Sequence, residues 1–193
     1  VVNVLKSGRA TGGRRGRTRL GSALVVKSFV ALQSVDRGYR TESVLTAELD
    51  LVGDGLDQGS QRLAAVDRIL AALGQLTGAA SVGLTTSLPA GTGHQIWGLV
   101  AQDQTYQPGE DIDATVQGIT GDYLETLDIP LLDGRAFTES EKRTGDEVAL
   151  VSRQLAARLW GSNNPVGRQL RRRTAAEDAW VRVVGVVGDV DYG

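Results

Sequence analysis

Residues 14–26, RRGRTRLGSALVV, lead from a run of arginines into an apolar stretch that stops at Lys27. A helix that crosses a bilayer needs roughly 18–20 consecutive apolar residues, and only Ala23–Val26 stand directly before that lysine. Beyond it, KSFVALQSVDRGYRTESV reads as the approach to a folded, water-exposed domain. The chain therefore carries both flanks of a membrane-type helix without its middle. Residues 1–21 are expected as a flexible basic arm, 22–35 as the remnant of a transmembrane or juxtamembrane helix, and 36–193 as the folded body. Within 22–35, Ser22 is a plausible N-cap, and Leu24, Val25, Phe29, Leu32 and Val35 share one apolar face.

Charge divides the chain at the same place. Residues 1–40 hold nine Lys/Arg and one acid, a net of +8, whereas residues 41–193 hold twelve Lys/Arg and 22 acids, a net of -10. The first segment suits anionic lipid headgroups or nucleic acid, and the second repels both. A nucleic-acid-binding domain carries its positive charge on the folded body, so no nucleic-acid partner is expected. Cysteine is absent and histidine occurs once, which excludes a disulfide scaffold and disfavours zinc.

Hydrophobic periodicity places the elements. VLTAELDLV (44–52) alternates like a half-buried strand. Leu63, Val66, Leu70 and Leu73 make one helical stripe over 61–73, with Ser60 as cap and Gly74 or Gly78 as stop. SVGLTTSLP (81–89) reads as a strand. Residues 90–110 are the least regular part, an irregular insertion with room for a short hairpin and with Trp97 as its anchor. A strand is expected over 111–120, a short helix over 122–127 capped by Thr120, and an extended piece over 129–137 that turns at Asp133–Gly134. A strand follows at 147–152, then a helix at 153–160 capped by Ser152, with Leu155, Ala156, Leu159 and Trp160 facing inward and Gly161 ending it. Residues 166–173 read as a strand or edge ribbon. Residues 179–190 form the most hydrophobic strand, with bulges or bends at Gly185 and Gly188. This order of βαβ units predicts an α+β fold, a mixed sheet with short helices packed on one face.

No constellation of residues specifies chemistry. The string GRATGGRRG (8–16) has no GKS or GKT ending and no clear strand before it, so it does not read as a phosphate loop. Glu110, Asp111 and Asp113, and separately Asp189 and Asp191, have carboxylate spacings that metal sites use, but without a calcium-loop pattern they read as solvated edge carboxylates. His94 has Ser87 and Thr85 as its nearest hydroxyls and no nucleophile elbow, so catalysis is not expected. Arg168 and Arg171–Arg173 read as a charged hairpin edge that blocks sheet-to-sheet pairing, with a lipid or acidic partner as the minor alternative. Tyr123, Leu124, Leu127, Ile129, Leu131 and Leu132 divide between core and a small exposed face for a partner. Catalytic, cofactor-binding and metal residues are all expected to be none.

Five strings in order, SFVALQSVDRGYRTESVLTAELDL, LTGAASVGLTTSLP, ITGDYLETLDIPLLDGRAFTESE, VALVSRQLAARLWGSNNPVGRQL and WVRVVGVVGDVDYG, together resemble the extracytoplasmic core domain of the MacB/FtsX-like permeases of ABC transporters, the large two-half permeases above all. The resemblance covers roughly residues 14–193. It implies a porter-like α+β domain set between transmembrane helices, in a homodimer or two-half permease of the inner membrane that works with a cytoplasmic ATPase, and residues 36–193 on the periplasmic side. Lipid contact is implied near residues 6–27. The family's domain has no catalytic residues and no nucleotide site. It also implies structural roles: Gly134 and Phe137 as turn and anchor, Trp160, Pro165 and Gly167 closing a helix onto the next strand, and Val184, Val186 and Val187 in the sheet core around Gly185. The family's segment like RTRLGSALVV runs on through further apolar residues before a string like KSFVALQSVD; here Val26 joins Lys27 directly.

The function expected on this resemblance is a non-enzymatic domain that transmits ATP-driven motion of the membrane helices for export or substrate release. The alternative is a soluble module that binds a protein or peptide in a groove and has no transport role. An enzyme using Asp111, Asp113 or His94, and a nucleic-acid binder using residues 6–19, are the other classes weighed.

Overall fold

The structure, a computed structural model, describes residues 37–49, 59–105, 112–144, 147–173 and 180–192. The expected arm at 1–21, the helix at 22–35, and Glu110 and Asp111 lie outside the described residues.

Leucines at helical spacing produce helix α1 (Gly59–Gly74), which starts before the expected Ser60 cap. Its stripe is only partly covered: Val66, Leu70 and Leu73 are half-buried, and Leu63 is 40% exposed. Leu70 reaches the backbone of Gly121. That glycine ends β4 (Ile119–Gly121), which pairs antiparallel with the buried strand β1 (Gly83–Thr85) in a two-stranded sheet. Helix α2 (Tyr123–Thr126) follows β4 at once and buries Tyr123 and Thr126. Asp122 occupies its cap position and makes no side-chain cap bond, so Thr120 is not the cap; it is held in the ladder opposite Leu84.

The larger sheet is mixed and six-stranded. Its strands are β2 (Gln95–Ala101), β3 (Ile112–Val116), β5 (Leu131–Gly134), β6 (Val148–Ser152), β7 (Gln169–Arg172) and β8 (Val181–Val187). The order is β3-β2-β7-β8-β5, with β6 parallel to β8 and every other pairing antiparallel. Helix α4 (Arg153–Trp160) joins β6 to β7 and packs on one face. A short helix, α3 (Glu139–Thr144), precedes β6.

Strand β8 organises this sheet. On one edge it pairs with β6 over residues 182–187, and the other edge is shared between β7 at Val181–Arg182 and β5 at Gly185–Val187. The changeover is a bulge: Ala149 pairs with Val183 and Leu150 with Gly185, leaving Val184 as the extra residue. The carbonyls of Val183 and Val184 consequently both accept bonds on the β7/β5 side, from the amides of Gly167 (2.8 Å) and Arg135 (3.0 Å). Strict alternation would send Val183 and Val186 to opposite faces. The extra residue restores their phase, and both join Val151, Leu170, Leu99, Leu159 and Trp160 in the main core. Val183 is the most deeply placed of the strand, at 0% exposure, while Val187 is only half-buried.

Several expectations are corrected. Residues 44–49 form no strand: among the described residues they pair with no neighbouring strand, and Leu45 stays 48% exposed. The expected irregular stretch at 90–110 contains β2, which lies between β3 and β7. The single strand expected over 111–120 breaks at Gln117–Gly118 and feeds two different sheets. Asp133–Gly134 is not a turn between elements. Leu131 pairs with Val187 and Asp133 with Val186, so Leu132 is extruded as a bulge, and Gly134 continues the ladder at φ +72. An added Cβ there would overlap the Val184 carbonyl oxygen, which explains the glycine. Strand β7 is interior, not an edge ribbon, because Leu170 is buried and the strand pairs on both sides. Helix α4 follows expectation, with Ser152 accepting from the Leu155 amide at 3.2 Å and Gly161 at its C-cap.

Candidate functional site

The chain enters the described body at Arg37–Arg40 and leaves it at Gly188–Tyr192, and these two segments meet. The Asp191 amide donates to the Arg37 carbonyl at 2.9 Å. Gly38, at φ +76, lies so close to the Asp189 carbonyl that a Cβ would overlap its oxygen. On the inbound side, the Arg40 amide donates to the Leu127 carbonyl (2.7 Å), and its guanidinium donates to the Thr126 carbonyl (3.3 Å). Tyr39, Val44 and Val190 pack on a second core cluster formed by Tyr123, Leu127 and Ile129. Both segments therefore rest on one apolar platform, built by α2 and the residues just after it.

The outbound segment has two further attachments. Asp189 accepts from the Gln154 amide at 2.6 Å and pairs with Arg153 at 3.0 Å, placing a carboxylate at the N-terminus of α4, where unpaired N–H groups and the helix dipole favour it. Three residues on, the Tyr192 hydroxyl receives a hydrogen bond from the side-chain amide of Gln117. Gln117 stands at the break between β3 and β4, and it also donates to the Tyr123 hydroxyl (3.3 Å) and receives from the Thr85 hydroxyl (3.2 Å). The His94 ring meets Tyr192 edge-on at 5.2 Å, and its Nδ1 lies 3.2 Å from the Ser87 hydroxyl. Burial raises the phenol pKa of Tyr123, and it raises that of Tyr192 further, aided by the neighbouring Tyr123.

This cluster settles the place of the sequence candidates. His94 and Ser87 do come together, but they are joined by a tyrosine and no carboxylate orients the imidazole in the bonds that the ring makes. Asp113 is exposed on β3, and its backbone carbonyl, not its carboxylate, receives the Arg158 guanidinium (3.2 Å). Asp189 serves α4, and Asp191 uses its amide to hold Arg37. Among the described residues no group of three or more His, Asp or Glu could hold a metal ion, and no helix is long and apolar enough to cross a membrane.

The arginine cluster is absorbed by the fold. Arg168 pairs with Asp103, which also accepts from the Trp160 indole (3.1 Å). Successive residues of β7 point to opposite faces, so Arg172 lies over Trp97 at 4.6 Å and Arg171 over Trp180 at 4.8 Å. Of the apolar set at 123–132, Tyr123, Leu127 and Ile129 are buried, whereas Leu131 and Leu132 are 42% and 47% exposed. Beside the tyrosine cluster runs a groove of about 640 Å³ that takes Gln117, Tyr123 and Tyr192 into its wall and draws apolar surface from Leu124, Phe137 and Leu150.

Gln117 and Tyr192, the central pair of the cluster, were not singled out by sequence reasoning. Gln117 lies outside the five family-like strings, and Tyr192 stood only at the end of WVRVVGVVGDVDYG, just beyond a hydrophobic strand. A second omission had a clear signal: Thr138-x-x-Glu141 is a capping box. The Glu141 amide donates to the Thr138 hydroxyl (3.2 Å) while the Glu141 carboxylate accepts from the Thr138 amide (2.8 Å).

The chain matches the family model of the MacB-like periplasmic core domain over residues 91–193, just over half its length. It is 33% identical over 58 residues to an uncharacterized ABC transporter permease, YknZ, of Bacillus subtilis, covering 30% of this chain and 15% of that protein. It is 30% identical over 76 residues to the macrolide export ATP-binding/permease protein MacB of Syntrophobacter fumaroxidans, covering 39% and 10% of the two chains. It is 32% identical over 79 residues to the pyoverdine export ATP-binding/permease protein PvdT of Pseudomonas aeruginosa, covering 41% and 11%. The matched stretches are thus a small part of each relative. Among solved structures, the periplasmic region of MacB from Actinobacillus actinomycetemcomitans superposes with a TM-score of 0.48 at 20% identity, over 65% of this chain and 54% of that one.

Proposed function

Because this chain belongs to the family of MacB-like periplasmic core domains, we propose that it is the extracytoplasmic part of an ABC transporter permease and relays ATP-driven movement of that permease's membrane helices. The family is a non-catalytic transport module, so the chain is not an enzyme. The observation that carries the relay is the meeting of the inbound and outbound segments: Asp191 bonds Arg37 backbone to backbone, and both segments are seated on the platform of Tyr123, Leu127 and Ile129. A displacement of either segment is delivered to a packed sheet and not dissipated in a loose loop, because packed interiors transmit strain. In this reading the parent is a homodimer or a two-half permease, it recruits a cytoplasmic ABC ATPase, and residues 6–27 lie near lipid, where each arginine contributes about 1 kcal/mol toward an anionic surface. Export or release of a substrate is the outcome.

The test is to express the full reading frame with an affinity tag and fractionate the cells. The expected result is recovery from the inner membrane together with an ABC ATPase, with residues 36–193 cleaved by protease added from the periplasmic side. Recovery from the cytosol without an ATPase would overturn the reading. The groove beside Gln117 and Tyr192 favours the second reading, a peptide-binding module without a transport role. Capture of a periplasmic peptide or protein with no membrane partner would support that one instead.

A further inference from the structure

The outbound segment crosses the seam between the two sheets, and besides its backbone bonds and the packing of Val190 it sends one polar side chain to each side. Asp189 holds the N-terminus of α4, which packs on the six-stranded sheet. Tyr192 holds Gln117, and Gln117 in turn holds Thr85 of β1 and Tyr123 of α2, both on the side of the two-stranded sheet. Among the described residues, the two sheets are also joined by three chain crossings, at 86–94, 117–118 and 127–130, by the packing of Val187 and Val190 on Tyr123, Leu127 and Ile129, and by the backbone bonds of Gly188 to Pro130 and Asp191 to Arg37. No backbone ladder links them, since β1 and β4 pair only with each other.

From this geometry we infer that Asp189 and Tyr192 are the two side-chain pins of a clasp over residues 188–192 that sets the angle between the two sheets, and that their release lets the sheets rock about the three crossings and the apolar contact that Val187 and Val190 keep. The pins suit the task. Each is a side-chain contact from the one segment to a distant element, 35 residues away for Asp189–Gln154 and 75 for Tyr192–Gln117. Neither belongs to the interior of either sheet, so both can open without loss of the main core. Gln117 bonds three partners at once, and withdrawal of Tyr192 leaves Thr85 and Tyr123 still tied to it. The clasp is a property of this chain alone and stands whether or not the transport reading does.

The chain has no cysteine, so a spin-label pair can be placed cleanly. Glu125→Cys on α2 and Ala157→Cys on α4 are both at exposed positions, one on each side of the seam. Distances between the labels would be measured by pulsed electron resonance on the 193-residue chain. The expected result is one narrow distribution in the parent pair and at least a twofold broader one when Asp189→Ala and Tyr192→Ala are added. The milder combination Asp189→Asn with Tyr192→Phe should fall between the two, and it provides the answer if the alanine variant does not fold. An unchanged width in folded variants would overturn the clasp, as would a broadening that Asp189→Ala or Tyr192→Ala alone produces in full.

Discussion

The carboxylate of Asp189 accepts the backbone N–H of Gln154 at 2.6 Å, across 35 residues of sequence. Ser152 caps the same helix through the neighbouring amide of Leu155. One orphan N–H of α4 is thus served by a local residue and another by the outbound segment. Replacing Asp189 by alanine is expected to cost about 1–2 kcal/mol, the range for a lost helix cap assisted by a charge. Ser152→Ala should cost about 1 kcal/mol. Urea midpoints at constant m-value check both, and Asp189→Asn should retain part of the loss because it keeps an acceptor.

Gly134→Ala is expected to destabilise by roughly 3 kcal/mol or more, since it combines a left-handed backbone with an overlap against the backbone of the neighbouring strand. The residue sits at φ +72, facing the Val184 carbonyl at the bulge of β8. Chemical denaturation would measure the loss. A cost below about 1 kcal/mol would mean that β5 can leave β8 cheaply.

Glu141 accepts two bonds from the Arg135 guanidinium, at 2.6 and 2.7 Å, and these, with the Thr138 amide, lower its pKa from the ordinary 4.5 to about 2. The folded state then binds fewer protons than the unfolded state in this window. Its contribution is complete above pH 4.5 and is lost as pH falls toward 2. Glu141→Gln should therefore differ from the parent at neutral pH and converge with it in acid. Parallel acid titrations of the urea midpoint would show this, with the gap shrinking in high salt because Arg135 is exposed.

Tyr192 behaves in the opposite sense. Burial keeps its phenol protonated above the ordinary value of 10, so its contribution is complete below pH 10 and is lost as pH rises beyond it. Tyr192→Phe cannot ionise and should flatten the alkaline loss of stability, while giving up the bond to Gln117 at lower pH, about 1 kcal/mol. Absorbance titration of the parent should show at least one tyrosine ionising late, and that late step should diminish in the variant.

Elements built from neighbours in the chain were legible. Helix α4 was readable end to end because its cap (Ser152), its stripe (Leu155, Ala156, Leu159) and its stop (Gly161) lie within ten residues. Strand β8 was legible as the most apolar run. The stretch 44–49 shows the limit of alternation as a signal. The pattern describes a strand that a neighbour could complete, and among the described residues none does. Strand β2 shows the converse, since QIWGLVA has a weak pattern and is held by partners on both sides. Of the candidate site, the nearness of His94 and Ser87 was visible in the sequence, but Tyr192 beside His94 and the α4 amide that donates to Asp189 were not.

The amino-acid sequence alone determined the local elements with their own caps, the division of charge at about residue 40, the absence of thiol chemistry, and the family to which the ordered strings point. These follow from side-chain period, composition and short-range hydrogen bonds. Only the tertiary structure decided which strands neighbour each other, where Leu132 and Val184 bulge, that Arg171 and Arg172 part to opposite faces of an interior strand, and that Asp189 and Tyr192 pin one segment to two sheets. The physical reason is range. A hydrogen bond between residues 35 or 75 positions apart leaves no periodic trace in the chain, and it exists only once packing has brought the two groups within 3 Å or so.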